Sequence, residues 1–247
     1  MMSPPPSRLA WRLVVSLVAA VTVAPGALAQ NRAEGVAAYI TLANDYRLRG
    51  LSQLDSGASW QVGVDYQHAS GFFVGGFAAN VEYSIEATRP EQRDHVVDYY
   101  AGYAWGKRDW RFNVALGRYV FPDFSLDYDY NELTFSTTFR NRFSYTAGYT
   151  DRLYSRPYSS WHHELGFAQP LRFDLELGVA LGQVSVDVPG YPDQDYTHWN
   201  VGLSRVMRRV ALDLRYFEAT DEWASFLGDP AGDSWVLSAS YGFPFAN

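Results

Sequence analysis

The sequence contains no cysteine, no surplus of basic residues and, beyond residue 30, no long apolar run. Without cysteine there are no disulfide bonds, no thiolate nucleophile and no cysteine-bound metal. The formal net charge of −7 leaves no basic face to neutralise the phosphates of a nucleic acid. A membrane helix needs roughly 18 consecutive apolar residues, and the best run of the mature chain, 36–43, is far shorter. Nucleic-acid binding and a helical membrane protein are therefore excluded.

The one extended apolar stretch lies at the N-terminus. Two arginines precede an apolar run over 13–23, and small residues follow it at Ala27 and Ala29. This order is typical of a secretory signal peptide that is cleaved after the last small residue. We therefore predict an exported protein with a signal peptide over 1–29 and a single domain over 30–247.

The mature chain is dominated by alternation of apolar and polar residues. Aromatic residues make up 17% of the sequence, yet the mean hydropathy is −0.22 because polar residues separate the apolar ones. A repeat of two residues is typical of a β-strand with one apolar and one polar face. The pattern predicts twelve strands, near 36–49, 58–67, 72–83, 95–105, 110–119, 130–139, 143–150, 160–168, 173–182, 196–206, 210–217 and 234–245.

The connections between the predicted strands alternate strictly between long loops and tight turns. A soluble β-sandwich also has two-faced strands, but it gives no reason for this alternation of loop length. Bacterial outer-membrane barrels have an even number of strands, long extracellular loops and short periplasmic turns. We therefore predict an all-β protein of the bacterial outer membrane, a transmembrane antiparallel up-and-down β-barrel of about 12 strands.

Aromatic residues bracket three successive short turns on the apolar face, as the pairs Trp105 and Trp110, Phe139 and Phe143, and Phe167 and Phe173. For one aromatic residue alone, a high β-propensity is a sufficient explanation. Three bracketing pairs are typical of the aromatic girdle at the periplasmic interface of an outer-membrane barrel.

The most specific string in the sequence is Asn44-Asp45-Tyr46-Arg47-Leu48-Arg49-Gly50-Leu51-Ser52-Gln53. It resembles the N-terminal signature of a family of bacterial proteins regarded as outer-membrane porins, the TorF or Gcw_chp family. Later strings at 60–66, 71–72 and 98–103 are similar to the same family's pattern, whereas beyond about Glu132 only alternation is present. The resemblance implies a barrel and a pore, and it carries over no catalytic or ligand-binding residue.

If the apolar positions face lipid, the charged positions between them face the lumen. The predicted pore-lining and selectivity residues are Arg47, Arg49, Asp65, Asp98, Arg111, Glu132, Glu164, Asp174, Glu176, Asp213 and Arg215. Charges inside a barrel must be paired or hydrated, so these groups either brace the wall as ion pairs or influence passing solutes. Barrels of about eight strands are filled by side chains and those of about sixteen hold an aqueous channel. Twelve strands therefore indicate a narrow passage for small hydrophilic solutes or ions.

Arg47 and Arg49 lie near the mouth end of the first predicted strand, and their spacing of two places both on its inward face. Their guanidinium groups can bind a carboxylate or phosphate in a bidentate manner. They can equally pair with Asp65 on the adjacent strand. Gly50, Ser52 and Gln53 are expected to shape the first outer loop.

The predicted long loops carry many more Asp and Glu residues than Arg, whereas the short turns are mostly basic. An acidic outer mouth raises the local cation concentration and repels anions, which leads to the hypothesis of a modest cation preference. The alternative is that acidic loops keep the surface hydrated or bind divalent ions beside lipopolysaccharide. Outer-membrane lipid and lipopolysaccharide are the expected partners besides the solutes.

An enzyme in the outer membrane would need a nucleophile beside a base. Both Gly-Leu-Ser strings begin like a nucleophile elbow, but each lacks the second glycine. His162 and His163 are neighbours on one predicted strand and face opposite sides, so they cannot bind one metal ion together. His198 and Ser204 would lie roughly 20 Å apart along a strand. We predict no enzyme, no cofactor and no metal site. A non-conducting structural, adhesive or lipid-binding barrel is the alternative, ahead of an outer-membrane hydrolase.

Overall fold

The computed structural model describes residues 34–54, 57–83, 92–122, 127–190, 194–220 and 232–244, so the predicted signal peptide lies outside the described residues. Fourteen strands occur in these ranges: β1 (Gly35–Ala43), β2 (Arg47–Leu48), β3 (Leu51–Ser52), β4 (Ser59–Gln67), β5 (Phe72–Tyr83), β6 (Gln92–Lys107), β7 (Trp110–Val120), β8 (Tyr130–Phe139), β9 (Phe143–Thr150), β10 (Ser159–Pro170), β11 (Leu175–Asp187), β12 (Gln194–Met207), β13 (Val210–Ala219) and β14 (Ser234–Pro244). Among the described residues, no helix is long and apolar enough to cross a membrane.

Twelve of the strands close into one barrel, in the order β1-β14-β13-β12-β11-β10-β9-β8-β7-β6-β5-β4. From β4 onward every strand pairs antiparallel with the next one in sequence, and β1 closes the barrel by pairing with both β14 and β4. The remaining two strands, β2 and β3, form a short ribbon of their own. The predicted twelve-stranded up-and-down barrel is confirmed.

Burial alternates along the barrel strands with the period of the pleat. In β4, Ser59, Gln61 and Asp65 are buried toward the lumen, while Trp60 and Val64 are exposed on the outer surface. The same order around the barrel produces an outer surface of exposed Trp, Phe, Leu and Val residues and an interior rich in Ser, Thr, Asn and charged residues. Such a distribution is the reverse of a water-soluble protein and is that of a membrane-spanning barrel.

The two ends of the barrel differ in their connections. Five short connections lie at one end, here called the short-turn end, and the long connections lie at the other, the long-loop end. The predicted alternation of loop length is therefore confirmed. The predicted start of the strand at 173 is wrong, because Phe173 and Asp174 belong to a turn in which both have positive φ, and the strand begins at Leu175.

Outward-facing aromatic rings form a continuous wall near the short-turn end. The ring centroids of Trp105 and Phe112 are 5.3 Å apart, and those of Trp110 and Phe139 are 4.7 Å apart. Tyr103 extends the wall, with its centroid 6.0 Å from that of Trp105. These five residues, here called the aromatic wall, lie where the sequence predicts a girdle, because outward positions of neighbouring strands meet in register.

Candidate functional site

Residues 44–54, here called the inward segment, leave the wall and enter the lumen at the long-loop end. The Asn44 side chain donates to the Trp235 carbonyl oxygen (2.9 Å) and accepts from the Leu237 N–H (2.7 Å), which ends the wall at this point. At the other end of the segment, the Glu82 N–H donates to the Gln53 carbonyl oxygen (2.7 Å). The prediction of one strand over 36–49 is thus wrong beyond Ala43, because the alternation after it belongs to the β2–β3 ribbon.

Arg47 holds the ribbon together from inside. Its Nε donates to Asp45 Oδ2 (2.8 Å), and its Nη1 donates to the carbonyl oxygens of Gly50 (2.9 Å) and Gly232 (2.5 Å). Ser52 Oγ donates to the other Asp45 oxygen, Oδ1, at 2.7 Å. Both Arg47 and Asp45 are almost fully buried, so this arginine braces the segment and does not face a solute path.

Arg49 extends from the tip of the segment to the barrel wall. Its terminal nitrogen donates to both oxygens of Glu132 on β8, at 2.7 and 2.6 Å, and the two side chains are 11% and 3% exposed. Burial by itself lowers the pKa of Arg49, but the charge of Glu132 and the nearby Tyr119 and Tyr130 more than offset it, so the pKa is raised. The pairing of Arg47 or Arg49 with Asp65 is therefore wrong, and the two arginines do not share a face.

The tip of the segment fits closely against the wall beside Arg49. Gly50 has a φ of +83°, and a Cβ atom at this position would lie 2.5 Å from the Cβ of His198 on β12 and 3.1 Å from that of Ala219 on β13. On another side of the lumen, the Tyr46 ring contacts the Phe77 ring on β5, with centroids 6.1 Å apart. The segment therefore crosses the lumen and touches separate parts of the wall.

The lumen is apolar around the inward segment, whereas the part of the lumen nearer the short-turn end, here called the lower lumen, is polar. Tyr46 and Leu54 pack into a buried cluster with Ala79, Val81, Val96, Phe121, Tyr130, Leu153, Val184, Val186, Tyr196 and Ala219. Burial raises the pKa of Tyr46 well above its usual 10, with Asp98 as the second cause, so its hydroxyl stays neutral. The long-loop end of the barrel is therefore filled by packed side chains.

Toward the short-turn end the lumen is polar and partly open to water. Arg215 donates to Asp213 (3.2 Å) and Asn200 (2.6 Å), and the Tyr100 hydroxyl donates to Asp65. On the side of the lumen formed by β8 to β11, the inward residues are half-exposed, as at Thr138, Thr146, Glu164, Gly166, Glu176 and Gly178. A water-accessible space thus lies at the short-turn end on this side of the lumen, and it is separated from the Arg49–Glu132 pair by the buried residues Thr134, Ser136 and His162.

The structure separates the eleven predicted pore-lining residues into four groups. Two belong to the inward segment (Arg47, Arg49), five are buried on the inner wall (Asp65, Asp98, Glu132, Asp213, Arg215), three are half-exposed inward (Arg111, Glu164, Glu176), and Asp174 lies exposed in a turn. The assignment of Asp174 to the lumen is wrong, because its turn precedes the strand. Of the acidic long-loop residues, Asp55, Glu86, Glu91, Asp123, Asp193, Asp221, Glu222 and Asp229 lie outside the described residues.

Two buried histidines near Arg49 were not predicted to belong to the site. His162 Nδ1 lies 3.9 Å from Glu132 Oε2, whereas His163 faces outward and contacts the Tyr145 hydroxyl at 2.8 Å, as expected for neighbours on a strand. His198 is 1% exposed. The signal that could have found both is parity, since each occupies an inward position of its strand.

Two possible roles of the inward polar residues can be checked within the described part of the chain, a histidine–serine pair and a metal site. Within the described part of the chain, the two ring nitrogens of His198 and the hydroxyl of Ser204 have no hydrogen-bond partner. His198 and Ser204 therefore do not form a pair of base and nucleophile. In the same ranges, no group of three His, Asp or Glu side chains is placed to hold a metal ion. What the Arg49–Glu132 pair does in the structure is join the inward segment to the inner wall of the barrel.

Comparisons with solved structures show outer-membrane barrels of the same architecture. An outer-membrane channel from Pseudomonas putida is 10% identical, covers 90% of this chain and 100% of its own, and has a TM-score of 0.55. The KdgM porin (10% identity, 84% and 99% coverage, TM-score 0.53) and the NanC porin (6%, 84% and 99%, 0.52) are also similar. At these identities the likeness shows the barrel fold alone.

Sequence comparison adds the family. No curated protein has a similar sequence. The family model that matches residues 29–236 is described as "Bacterial protein of unknown function (Gcw_chp)". The resemblance found at residues 44–53 is thereby confirmed for the family, although its description assigns no activity. Since the match extends over most of the sequence, the chain belongs to the Gcw_chp family.

Proposed function

We propose that the protein is a channel of the bacterial outer membrane that passes small hydrophilic solutes or ions, and that the inward segment controls its narrowest part. The observation that supports this best is the polar, water-accessible space at the short-turn end of the lumen, which the Arg49–Glu132 pair and its buried neighbours separate from the long-loop end. A barrel closed only for stability does not need a hydrated interior. The porins and the outer-membrane channel with the same fold support the same assignment.

The charged residues of the inner wall differ in burial: some form buried ion pairs that stabilise the wall, and others are accessible to water. The Asp213–Arg215 pair is buried and holds neighbouring positions of β13. Glu164, Glu176 and Arg111 are half-exposed, so they are the charges that a solute in the lower lumen would meet. Glu164 and Glu176 present carboxylates on this water-accessible wall, and carboxylates attract cations, which supports the hypothesis of a modest cation preference.

Conductance of the purified, refolded protein in a planar bilayer tests the channel. The full chain is compared with a variant in which residues 45–53 are replaced by a Gly/Ser linker of equal length. We expect small or brief current steps from the full chain and larger steps from the variant, because the linker cannot fill the long-loop end. The absence of steps from both proteins would overturn the channel.

Selectivity is tested on the conducting protein in a salt gradient. Reversal potentials should show a cation preference that weakens in Glu164→Gln/Glu176→Gln. An anion preference in the starting protein would contradict the role of these carboxylates.

The second candidate is a barrel that does not conduct and has a structural, adhesive or lipid-binding role. It is favoured by the apolar cluster that fills the long-loop end together with the inward segment. The full chain separates the two candidates, because a channel gives current steps with the segment in place, whereas a filled, non-conducting barrel gives steps only in the linker variant.

The membrane placement and the export signal have their own tests. A closed membrane barrel should migrate differently on an SDS gel before and after boiling, and it should be recovered from the membrane fraction with Gln30 as its first residue. Unchanged migration together with recovery in the soluble fraction would contradict an outer-membrane barrel.

A further inference from the structure

The short-turn end of the barrel carries a group of exposed cations directly beside the aromatic wall. Lys107 and Arg108 follow Trp105 on the turn between β6 and β7, and Arg140 and Arg142 lie on the turn between β8 and β9. All four side chains are exposed. The two turns are joined by a hydrogen bond from the Arg140 N–H to the Asp109 carbonyl oxygen (2.8 Å), so the cations form one patch.

The wall and the cations are in contact with each other. The Arg140 guanidinium lies over the Phe139 ring, with its central carbon 5.0 Å from the ring centroid. The Phe139 ring in turn packs on Trp110, which lies parallel to Phe112. One carboxylate is present, Asp109, and it accepts from Arg140 Nε at 3.0 Å. Four cations and a single carboxylate leave the patch clearly positive.

The backbone conformation of the turns does not explain why arginine occupies positions 108 and 140. Arg108 and Arg140 have φ values of +57° and +52°, a region that glycine and asparagine adopt with less strain. Local stability of the turn would therefore select Gly or Asn. The charge of the arginines accounts for them better: Arg140 uses it in the contacts with Asp109 and Phe139, and Arg108 and Arg142 add positive charge to the same exposed patch.

The aromatic wall faces outward from the barrel, and the cations lie beside it on the turns of the short-turn end. This arrangement matches a lipid with an anionic headgroup. Acyl chains pack against exposed aromatic rings, and cations at the membrane interface attract anionic headgroups. We propose that Arg108, Arg140 and Arg142, together with the aromatic wall, bind an anionic phospholipid at the short-turn end of the barrel. The inference rests on the membrane placement of the barrel but not on conduction, so the two proposals can fail separately.

Native mass spectrometry of the full chain in a neutral detergent tests the lipid site. Phosphatidylglycerol is compared with phosphatidylcholine of the same acyl chains, and Arg140→Gln/Arg142→Gln is compared with Arg152→Gln/Arg156→Gln, which removes the same charge from exposed residues of a long loop. We expect preferential retention of phosphatidylglycerol. At about one kcal/mol per arginine, the first variant should bind it about 10- to 30-fold more weakly, and the control should bind it normally.

The outcomes that overturn the site are equally definite. Equal retention of the two lipids, or an equal loss in both variants, would show that no specific headgroup site exists. Competition by inorganic phosphate at the concentration of the lipid would show a site for free anions instead. The aromatic wall is tested by tryptophan fluorescence: brominated phosphatidylglycerol should quench the protein more than brominated phosphatidylcholine does, and Trp110→Phe should reduce that difference. No difference between the two brominated lipids would contradict the proposal.

Discussion

The Arg49–Glu132 pair is the ion pair that ties the tip of the inward segment to the barrel wall, so Glu132→Gln should weaken its attachment. The substitution keeps the size of the side chain and removes the charge that accepts both hydrogen bonds from Arg49. Since the two side chains are nearly buried, the guanidinium would lose its counter-charge in a poorly hydrated place. Removing one partner of a buried pair costs about 3–5 kcal/mol. At about 1.4 kcal/mol per factor of ten, the ratio of seated to withdrawn segment falls by roughly two to four orders of magnitude.

Single-channel recording measures this ratio as the fraction of time spent at high conductance. We expect Glu132→Gln to raise that fraction strongly, and Arg49→Glu/Glu132→Arg to lower it again because the pair is restored with reversed charges. Glu176→Gln is the matched control, since it removes an inward carboxylate from the lower part of the lumen. A control that opens the channel as much as Glu132→Gln, or no change in Glu132→Gln, would refute the role of the pair.

Three further substitutions test the packing. Gly50→Ala should displace the inward segment, because the new Cβ would lie 2.5 Å from the Cβ of His198 and the φ of +83° is strained for alanine. Protease cleavage within 45–53 should then become faster. An unchanged cleavage rate would contradict the close fit. Gly63→Val would overlap the Tyr39 ring and should lower the free energy of unfolding in urea by about 1–3 kcal/mol. Arg215→Met leaves Asp213 buried without its cation and should cost about 3–5 kcal/mol, which Asp213→Asn should largely restore; equal stability of single and double variants would show that the pair is not coupled.

The barrel could be predicted from the sequence because its determinants are local. A repeat of two residues fixes which side chains face outward, as with Trp60 and Val64 against Gln61 and Asp65. From β4 to β14 each strand pairs with its neighbour in sequence, so short turns and strand order are sufficient to give the topology. The long-range pairing of β1 with β14 follows from the need to leave no open edge in a membrane.

The inward segment could not be predicted from the same pattern, because a two-residue repeat also occurs in a ribbon that has left the wall. Asp45, Arg47 and Arg49 alternate with apolar residues as they would in a strand. The contact that ends the strand joins Asn44 to Trp235 and Leu237, almost a whole chain length away. Local periodicity carries no information about such a contact.

The partner of Arg49 shows how this limit bears on function. The adjacency of the first two predicted strands suggested Asp65, but the register places Asp65 opposite Ala37, at the other end of β1 from residues 44–49. Once the chain crosses the lumen, an arginine can reach a carboxylate on a strand that it never pairs with, here Glu132 on β8. Two barrels with the same alternation and the same strand order can therefore differ in whether their lumen is open. In this protein, residues 44–54 occupy the lumen, so under the proposed channel function they are the part of the chain where substitutions should change conduction without changing the barrel.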